Sequence, residues 1–291
     1  MEEVSSLTRL RFQQVRLTAH LCARLSRFGG TRSLFQTLGK NNLLEHALLG
    51  FNSIFPSFEA AKSYAKRYKV ASHEHPGNTA VHLELNQAPR PSDYPVLFHM
   101  QNLLPEVHSV VDIGGSAGNL FYCYDRYLHF DPQFSWTVND MPANNRIGAR
   151  IAGEHHESRL HFVDELADCE PVDMVLISGA LHYFELLPPE MMRALKRPPR
   201  HVIINRTPVI EGETTITIQD AGFYYAISPA RLLSRKALMQ SMSDADYEVV
   251  DEWTVPDLHF DIPLHPECSA RYYSGFYFRL RSPENRPARE N

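Results

Sequence analysis

The sequence predicts a doubly wound α/β fold, a seven-stranded and mostly parallel sheet carrying an N-terminal helical extension. Three observations point to it. Val110-Val111-Asp112-Ile113 is an apolar run with an acid near its end, and it breaks into Gly114-Gly115-Ser116-Ala117-Gly118 before a helix-like segment from Asn119 to Leu128. Phe134 to Asp140 is a second short apolar run ending in an acid, 22 residues after Gly118. Leu160 to Asp164 is a third run ending in an acid, Val172 to Ser178 and His201 to Arg206 are two further short apolar runs, and two late ones lie at Tyr247 to Trp253 and Gly275 to Leu280.

The first run reads as a buried strand that delivers its backbone to the sheet edge. Glycines at 114, 115 and 118 let a ligand approach the turn, and the helix that opens there offers unpaired N–H groups. A dinucleotide site favours G-x-G-x-x-G, so that a pyrophosphate rests on the helix end. Here the pattern is D-x-G-x-S-x-G, with Ser116 at the middle position. A carboxylate at the strand end repels a pyrophosphate and suits a ligand with an ammonium group, such as S-adenosylmethionine. Asp140 then stands where a doubly wound fold puts the acid that takes ribose hydroxyls. Met141 is placed to cover one face of the adenine. Asp164, at the third strand end, reads either as part of this site or as a solvated loop carboxylate. Ser178 closes the fourth strand and runs into Gly179-Ala180-Leu181-His182-Tyr183-Phe184.

These segments resemble a family of S-adenosylmethionine-dependent methyltransferases that often accompany surface-polysaccharide genes. The matching stretches are Tyr94-Pro95-Val96-Leu97, Val111-Asp112-Ile113-Gly114-Gly115-Ser116, Trp136-Thr137-Val138-Asn139-Asp140, Val175-Leu176-Ile177-Ser178 with Leu181-His182-Tyr183, Ile204-Asn205-Arg206-Thr207-Pro208 and Gly275-Phe276-Tyr277-Phe278. Upstream, Phe55-Pro56-Ser57-Phe58-Glu59-Ala60-Ala61 fits as well. The resemblance covers about two thirds of the chain. It implies a class I, Rossmann-like methyltransferase domain over residues 93–282, with strand order 3-2-1-4-5-7-6 and the 275–280 strand antiparallel between its neighbours. It also implies S-adenosyl-L-methionine as cofactor. Two positions depart from the pattern: Asp140 replaces a Glu, and His182 replaces a Gln.

The function expected is methyl transfer to a small-molecule or sugar acceptor, at oxygen or nitrogen. The alternative is a nucleoside-binding or partner-binding subunit that keeps the fold without the reaction. The cofactor-binding set is Asp112, Gly114, Gly115, Ser116, Gly118, Asp140, Met141, Asp164 and Ser178. His182 is the candidate base, and its competing role is packing or orientation. Tyr183, Arg206 and the 219–225 stretch are candidates for the acceptor side, where an Arg suits a carboxylate or phosphate.

Composition narrows the rest. A net charge of −5 argues against a nucleic-acid groove. Four scattered cysteines (22, 123, 169 and 268) without a C-x-x-C read as reduced thiols of a cytoplasmic protein. The acidic start Met1-Glu2-Glu3 does not read as a signal peptide, and no apolar run has the length of an integral membrane segment. Residues 1–92 read as a helical extension or cap. Leu7, Leu10, Leu17, Leu21 and Phe28 form one stripe, Gly29-Gly30 stops that helix, and helical pieces follow at about 33–38 and 43–49. Seven Lys or Arg against two Glu in residues 1–40 make the segment basic. It is expected to pack on the catalytic domain or on a second subunit, giving a homodimer, rather than on a membrane surface. Residues 283–291 read as a frayed tail. Fifteen histidines offer the pairs His73 with His75 and His155 with His156, and the set His259, Asp261, His265 and Cys268. None matches a metal motif, so no metal is expected, and the last set is read as a loop bordering the acceptor pocket.

Overall fold

The computed structural model describes residues 21–22, 24–40, 50–66, 88–220, 227–270 and 272–282. They fall into two compact units that interleave along the chain. The larger comprises Pro76–Thr207, Arg235–Leu258 and Tyr272–Asn291, and the smaller Met1–His75, Pro208–Ser234 and His259–Arg271.

Strands are numbered in chain order: β1 Gly50–Phe55, β2 Ser109–Ile113, β3 Ser135–Asn139, β4 Leu160–Val163, β5 Met174–Ser178, β6 His201–Thr207, β7 Val209–Ile210, β8 Thr215–Asp220, β9 Ile227–Ser234, β10 Tyr247–Val255 and β11 Tyr273–Leu280. The larger unit is built on a seven-stranded sheet of order β10-β11-β6-β5-β2-β3-β4. The four pairings from β4 to β6 are parallel, and β11 lies antiparallel between β10 and β6. Renumbered within the sheet, this is the expected 3-2-1-4-5-7-6. Central strands of such a sheet are covered on both faces and so read as unbroken apolar runs. Val110, Val111 and Ile113 of β2, Met174 to Ile177 of β5 and Val202 to Ile204 of β6 are all buried, and so are Phe276 and Phe278 of β11.

The chain order reverses at β2, which has β3 on one side and β5 on the other. That makes its carboxyl end the switch point, where a doubly wound sheet opens a crevice. The helix Asn119–Leu128 begins there and packs against the helix Tyr94–Leu103. Its Phe121 and Tyr124 meet Trp136 of β3 edge-on, and Phe130 stacks on Phe134 at 4.2 Å between ring centres. These rings anchor the core beneath the crevice.

The smaller unit holds a second sheet of order β1-β8-β9-β7, which the sequence reading does not anticipate. Gly29-Gly30 opens the helix Gly29–Lys40 instead of ending one; the break falls at Arg27 and Phe28. Residues 1–20, 43–49, 73–75 and 221–226, on which the apolar stripe, a helical piece, one histidine pair and part of the acceptor stretch were read, lie outside the described residues. Among the described residues, no helix is long and apolar enough to cross a membrane, and all four cysteines are free thiols.

Candidate functional site

The turn after β2 is shaped by backbone that a side chain would obstruct. Gly114 has φ +76, and a Cβ on it would lie 2.3 Å from the Cβ of Ala180. Gly118 caps the following helix at φ +78, where a Cβ would meet Leu160 at 2.8 Å. Between them Ser116 also takes the left-handed region, at φ 55, without being a glycine.

Asp112 lies under this turn. A Cβ on Gly115 would fall 2.5 Å from its Oδ2, so the carboxylate fills the space a side chain would need. It is 1% exposed, and among the described residues neither oxygen has a hydrogen-bond partner. Burial, reinforced by the neighbouring Asp140 charge, raises its pKa to about 7, against opposing effects of the Trp136 indole and the Arg206 guanidinium.

Asp140 is differently placed. Its Oδ2 accepts from the Ser116 N–H at 2.7 Å; its Oδ1 accepts from the Met141 N–H at 2.7 Å and the Asn144 amide at 2.8 Å. The acid therefore ties the end of β3 to the glycine turn, and three of roughly four acceptor positions on the carboxylate are taken. Met141 is the N-cap of the helix Pro142–Glu154. Asp164 is exposed and accepts from Asn145 at 2.7 Å, while Asn145 also donates to the Asp140 and Val163 carbonyls. The structure thus joins Asp140 and Asp164 through a buried Asn144-Asn145 pair that sequence reasoning missed. The signal was two amides in the first turn of the helix after a strand-end acid.

On the opposite side of β2, the segment after β5 packs onto Gly114 through Ala180 and Phe184. His182 sits in its short 3-10 turn, 3% exposed, with its ring 4.0 Å from that of Tyr183 and 6.3 Å from that of Tyr273. Burial pushes the Tyr183 hydroxyl well above the ordinary tyrosine range, so that group donates a proton poorly and keeps it as a hydrogen-bond donor.

Arg206 requires a correction. The sequence places it to offer a cation to the acceptor, but the residue is 3% exposed and its guanidinium is paired with Asp93, which is fully buried. It also donates to Ser92 Oγ at 2.9 Å and lies 3.4 Å from Ser178 Oγ. A charge buried this deeply needs a partner inside the protein, and Asp93 supplies it. Asp93 in turn accepts from the Tyr124 hydroxyl at 2.6 Å and the Arg90 N–H at 2.8 Å. The backbone cause is a bulge: Asn205 and Arg206 together face Gly275 of β11, and Arg206 is forced to φ 54. Gly275 leaves room for Trp253, whose indole N–H donates to Asn205 at 3.1 Å. Asn205 donates to the Ser92 carbonyl at 3.0 Å.

The remaining candidates belong to the smaller unit. Gln219 and Asp220 end β8. Asp261 pairs with Arg27 at 2.6 Å, His265 with Glu267 at 3.5 Å, and Cys268 lies 3.8 Å from the Thr215 hydroxyl. Arg27, Arg32, Asp261, Pro266 and Ser269 line a cleft of about 290 Å³ there. Among the described residues no three His, Cys, Asp or Glu side chains gather as metal ligands.

No family model and no curated protein matches the chain. Among solved structures it is similar to the 1,6-didemethyltoxoflavin-N1-methyltransferase of Burkholderia thailandensis, crystallised with 1,6-didemethyltoxoflavin and S-adenosylhomocysteine. That likeness has 17% identity and a TM-score of 0.50, and covers 80% of this chain and 94% of that one. An O-methyltransferase family protein from Burkholderia thailandensis follows at 14% identity and a TM-score of 0.46, covering 73% and 64%. A glycopeptide N-methyltransferase complexed with S-adenosyl-L-methionine shows 11% identity and 0.44, covering 66% and 94%. At these identities the likeness is one of fold, and the 1,6-didemethyltoxoflavin-N1-methyltransferase structure carries it: the chain has the α/β architecture of class I methyltransferases, seven-stranded sheet included.

Proposed function

We propose that this chain is an S-adenosylmethionine-dependent methyltransferase acting on a small-molecule or sugar acceptor, at oxygen or nitrogen. The observation that supports this most is Asp112, a fully buried carboxylate beneath a glycine turn at the switch point of the sheet, without a cation of its own among the described residues. Such a group fits a ligand that brings its own cation. The ammonium of a methionine tail does so, whereas a pyrophosphate would meet two carboxylates, Asp112 and Asp140.

In this reading Gly114, Gly115, Ser116 and Gly118 hold the methionine moiety, with Asp112 at its ammonium. Asp140 takes a ribose hydroxyl through its remaining acceptor position, Met141 covers the adenine, and Asp164 and Ser178 form the rim. The bound cofactor supplies a methyl group already activated on a sulfonium. What falls to the protein is to align the acceptor and, for an alcohol, to remove its proton. His182 is the base in this assignment, and Tyr183 serves as a donor. Arg206 acts as a positioning residue that holds Ser178 and the end of β6 in place.

Isothermal titration with S-adenosylmethionine, S-adenosylhomocysteine and NAD tests the reading directly. The first two are expected to bind and NAD is not; the reverse pattern would replace the proposal with a nicotinamide enzyme. Asp140→Ala is expected to weaken S-adenosylhomocysteine about ten- to a hundredfold, for a loss of roughly 1.5–3 kcal/mol of charge-assisted bonding. With an alcohol acceptor in hand, His182→Ala should lose about 10²–10⁴ in turnover at unchanged cofactor affinity; a loss under tenfold would make His182 a positioning residue.

A further inference from the structure

We propose that Asp112 is a proton-exchanging specificity residue: it holds a proton in the ligand-free protein and releases it to solvent when the cationic tail of a nucleoside ligand settles beside it. The identity of that ligand rests on the methyltransferase reading above; the behaviour of the residue rests on its surroundings.

An ionised carboxylate out of water needs a cation or several donors. Asp112 is 1% exposed; the Trp136 indole N–H beside it is uncharged and, among the described residues, no donor completes a hydrogen bond to either oxygen. Its in-register neighbours, Val138 on β3 and Leu176 on β5, carry no charge, and the turn above it offers Gly115. The charged groups that face it are Asp140 at the end of β3, which repels a second negative charge, and Arg206 from β6. Arg206 is already neutralised by Asp93. The segment that covers Gly114 carries His182 and Tyr183 as further titratable groups. With no free cation in this set, the neutral acid is the favoured form, in keeping with a pKa raised to about 7. The site therefore lacks one positive charge, and a ligand's ammonium provides it: the O–H bond of the acid breaks, the proton leaves to buffer, and an ion pair forms in its place.

The consequence is selection by charge. S-adenosylhomocysteine carries the amino-acid tail; 5′-methylthioadenosine shares its adenosine and thioether but lacks it. Titration of both into the wild-type protein between pH 5.5 and 7.5, in buffers of different ionisation enthalpy, reads affinity and protons together. With a midpoint near 7, linkage gives release of nearly one proton per S-adenosylhomocysteine at pH 5.5, about a quarter at pH 7.5, and an affinity about 25-fold higher at the upper pH. The tail-less nucleoside should show neither effect. In Asp112→Asn both effects should vanish; proton release that persists there comes from another group, such as His182, and overturns the proposal. Binding of S-adenosylhomocysteine to the wild type without proton release overturns it equally, and that measurement needs no variant.

A readout without ligand separates this inference from the reading beneath it. Between the ordinary carboxylate pKa and about 7 the folded protein binds the extra proton, so raising the pH must weaken the fold. The thermal midpoint of ligand-free wild type should fall relative to Asp112→Asn between pH 5.5 and 8. If S-adenosylhomocysteine never binds but this fall appears, the cofactor assignment fails and the protonated Asp112 stands. If the two midpoints run parallel, Asp112 holds no proton and the proposal fails.

Discussion

Asp93→Asn removes the negative charge opposite Arg206 while keeping the shape of the side chain. Arg206 is 3% exposed and Asp93 fully buried, so water cannot replace the lost partner. Removing one member of a buried ion pair costs about 3–5 kcal/mol. The asparagine oxygen can still accept from the Tyr124 hydroxyl or the Arg90 N–H, which returns about 1 kcal/mol. The expected loss is therefore about 2–4 kcal/mol, a large share of the roughly 5–15 kcal/mol that holds a domain folded. Urea denaturation followed by tryptophan fluorescence reads it cleanly, because both tryptophans, Trp136 and Trp253, belong to the larger unit. Adding Arg206→Met should recover most of the loss, since an apolar pair of similar volume avoids the stranded charge. A loss below about 1 kcal/mol, or a double variant as unstable as the two single losses summed, would refute the buried-pair account.

Ser116→Gly should stabilise the protein by up to about 1 kcal/mol in the same assay, by relieving a left-handed backbone at a residue with a Cβ. Gly148→Ala should cost about 1–3 kcal/mol, because the new Cβ would fall 2.3 Å from the Phe162 ring. His201 is buried and hydrogen-bonded to Tyr277, and burial lowers its pKa against a smaller opposing effect of Glu106. Below about pH 6.5 the unfolded chain then binds more protons than the folded one, so stability should fall with acidity there. His201→Gln should flatten that part of the profile; an unchanged slope would show that His201 does not titrate on unfolding.

The seven-stranded sheet was legible because its central strands are buried on both faces. β2, β5 and β6 read as continuous apolar runs, and the structure moves their ends by at most two residues. The second sheet was not legible, since β1 pairs with β8 across about 165 residues and nothing local in either strand names its partner. The same holds for Arg206. A strand-end arginine looks available in sequence, and only the fold brings Asp93 beneath it from 113 residues away. The glycine turn was readable from residue type alone, whereas the contrast between Asp112, bare and buried, and Asp140, already bonded, depends on packing.

The position of β11 governs the order in which this sheet can be assembled. It leaves the ribosome after β6 and β10, yet lies between them. Until it is made, β10 has no neighbour in the sheet, and β6 is the rim of a five-stranded parallel array with its N–H and C=O groups open along one side. β11 then closes the sheet, pairing with β6 on one side and β10 on the other and carrying Phe276, Tyr277 and Phe278 into the gap. The nascent protein thus passes through a stage in which an apolar edge is exposed to other chains. Trp253 of β10 pairs with the sheet through β11 and hydrogen-bonds Asn205, so its fluorescence should report the closing step later than that of Trp136, which lies in the five-stranded array.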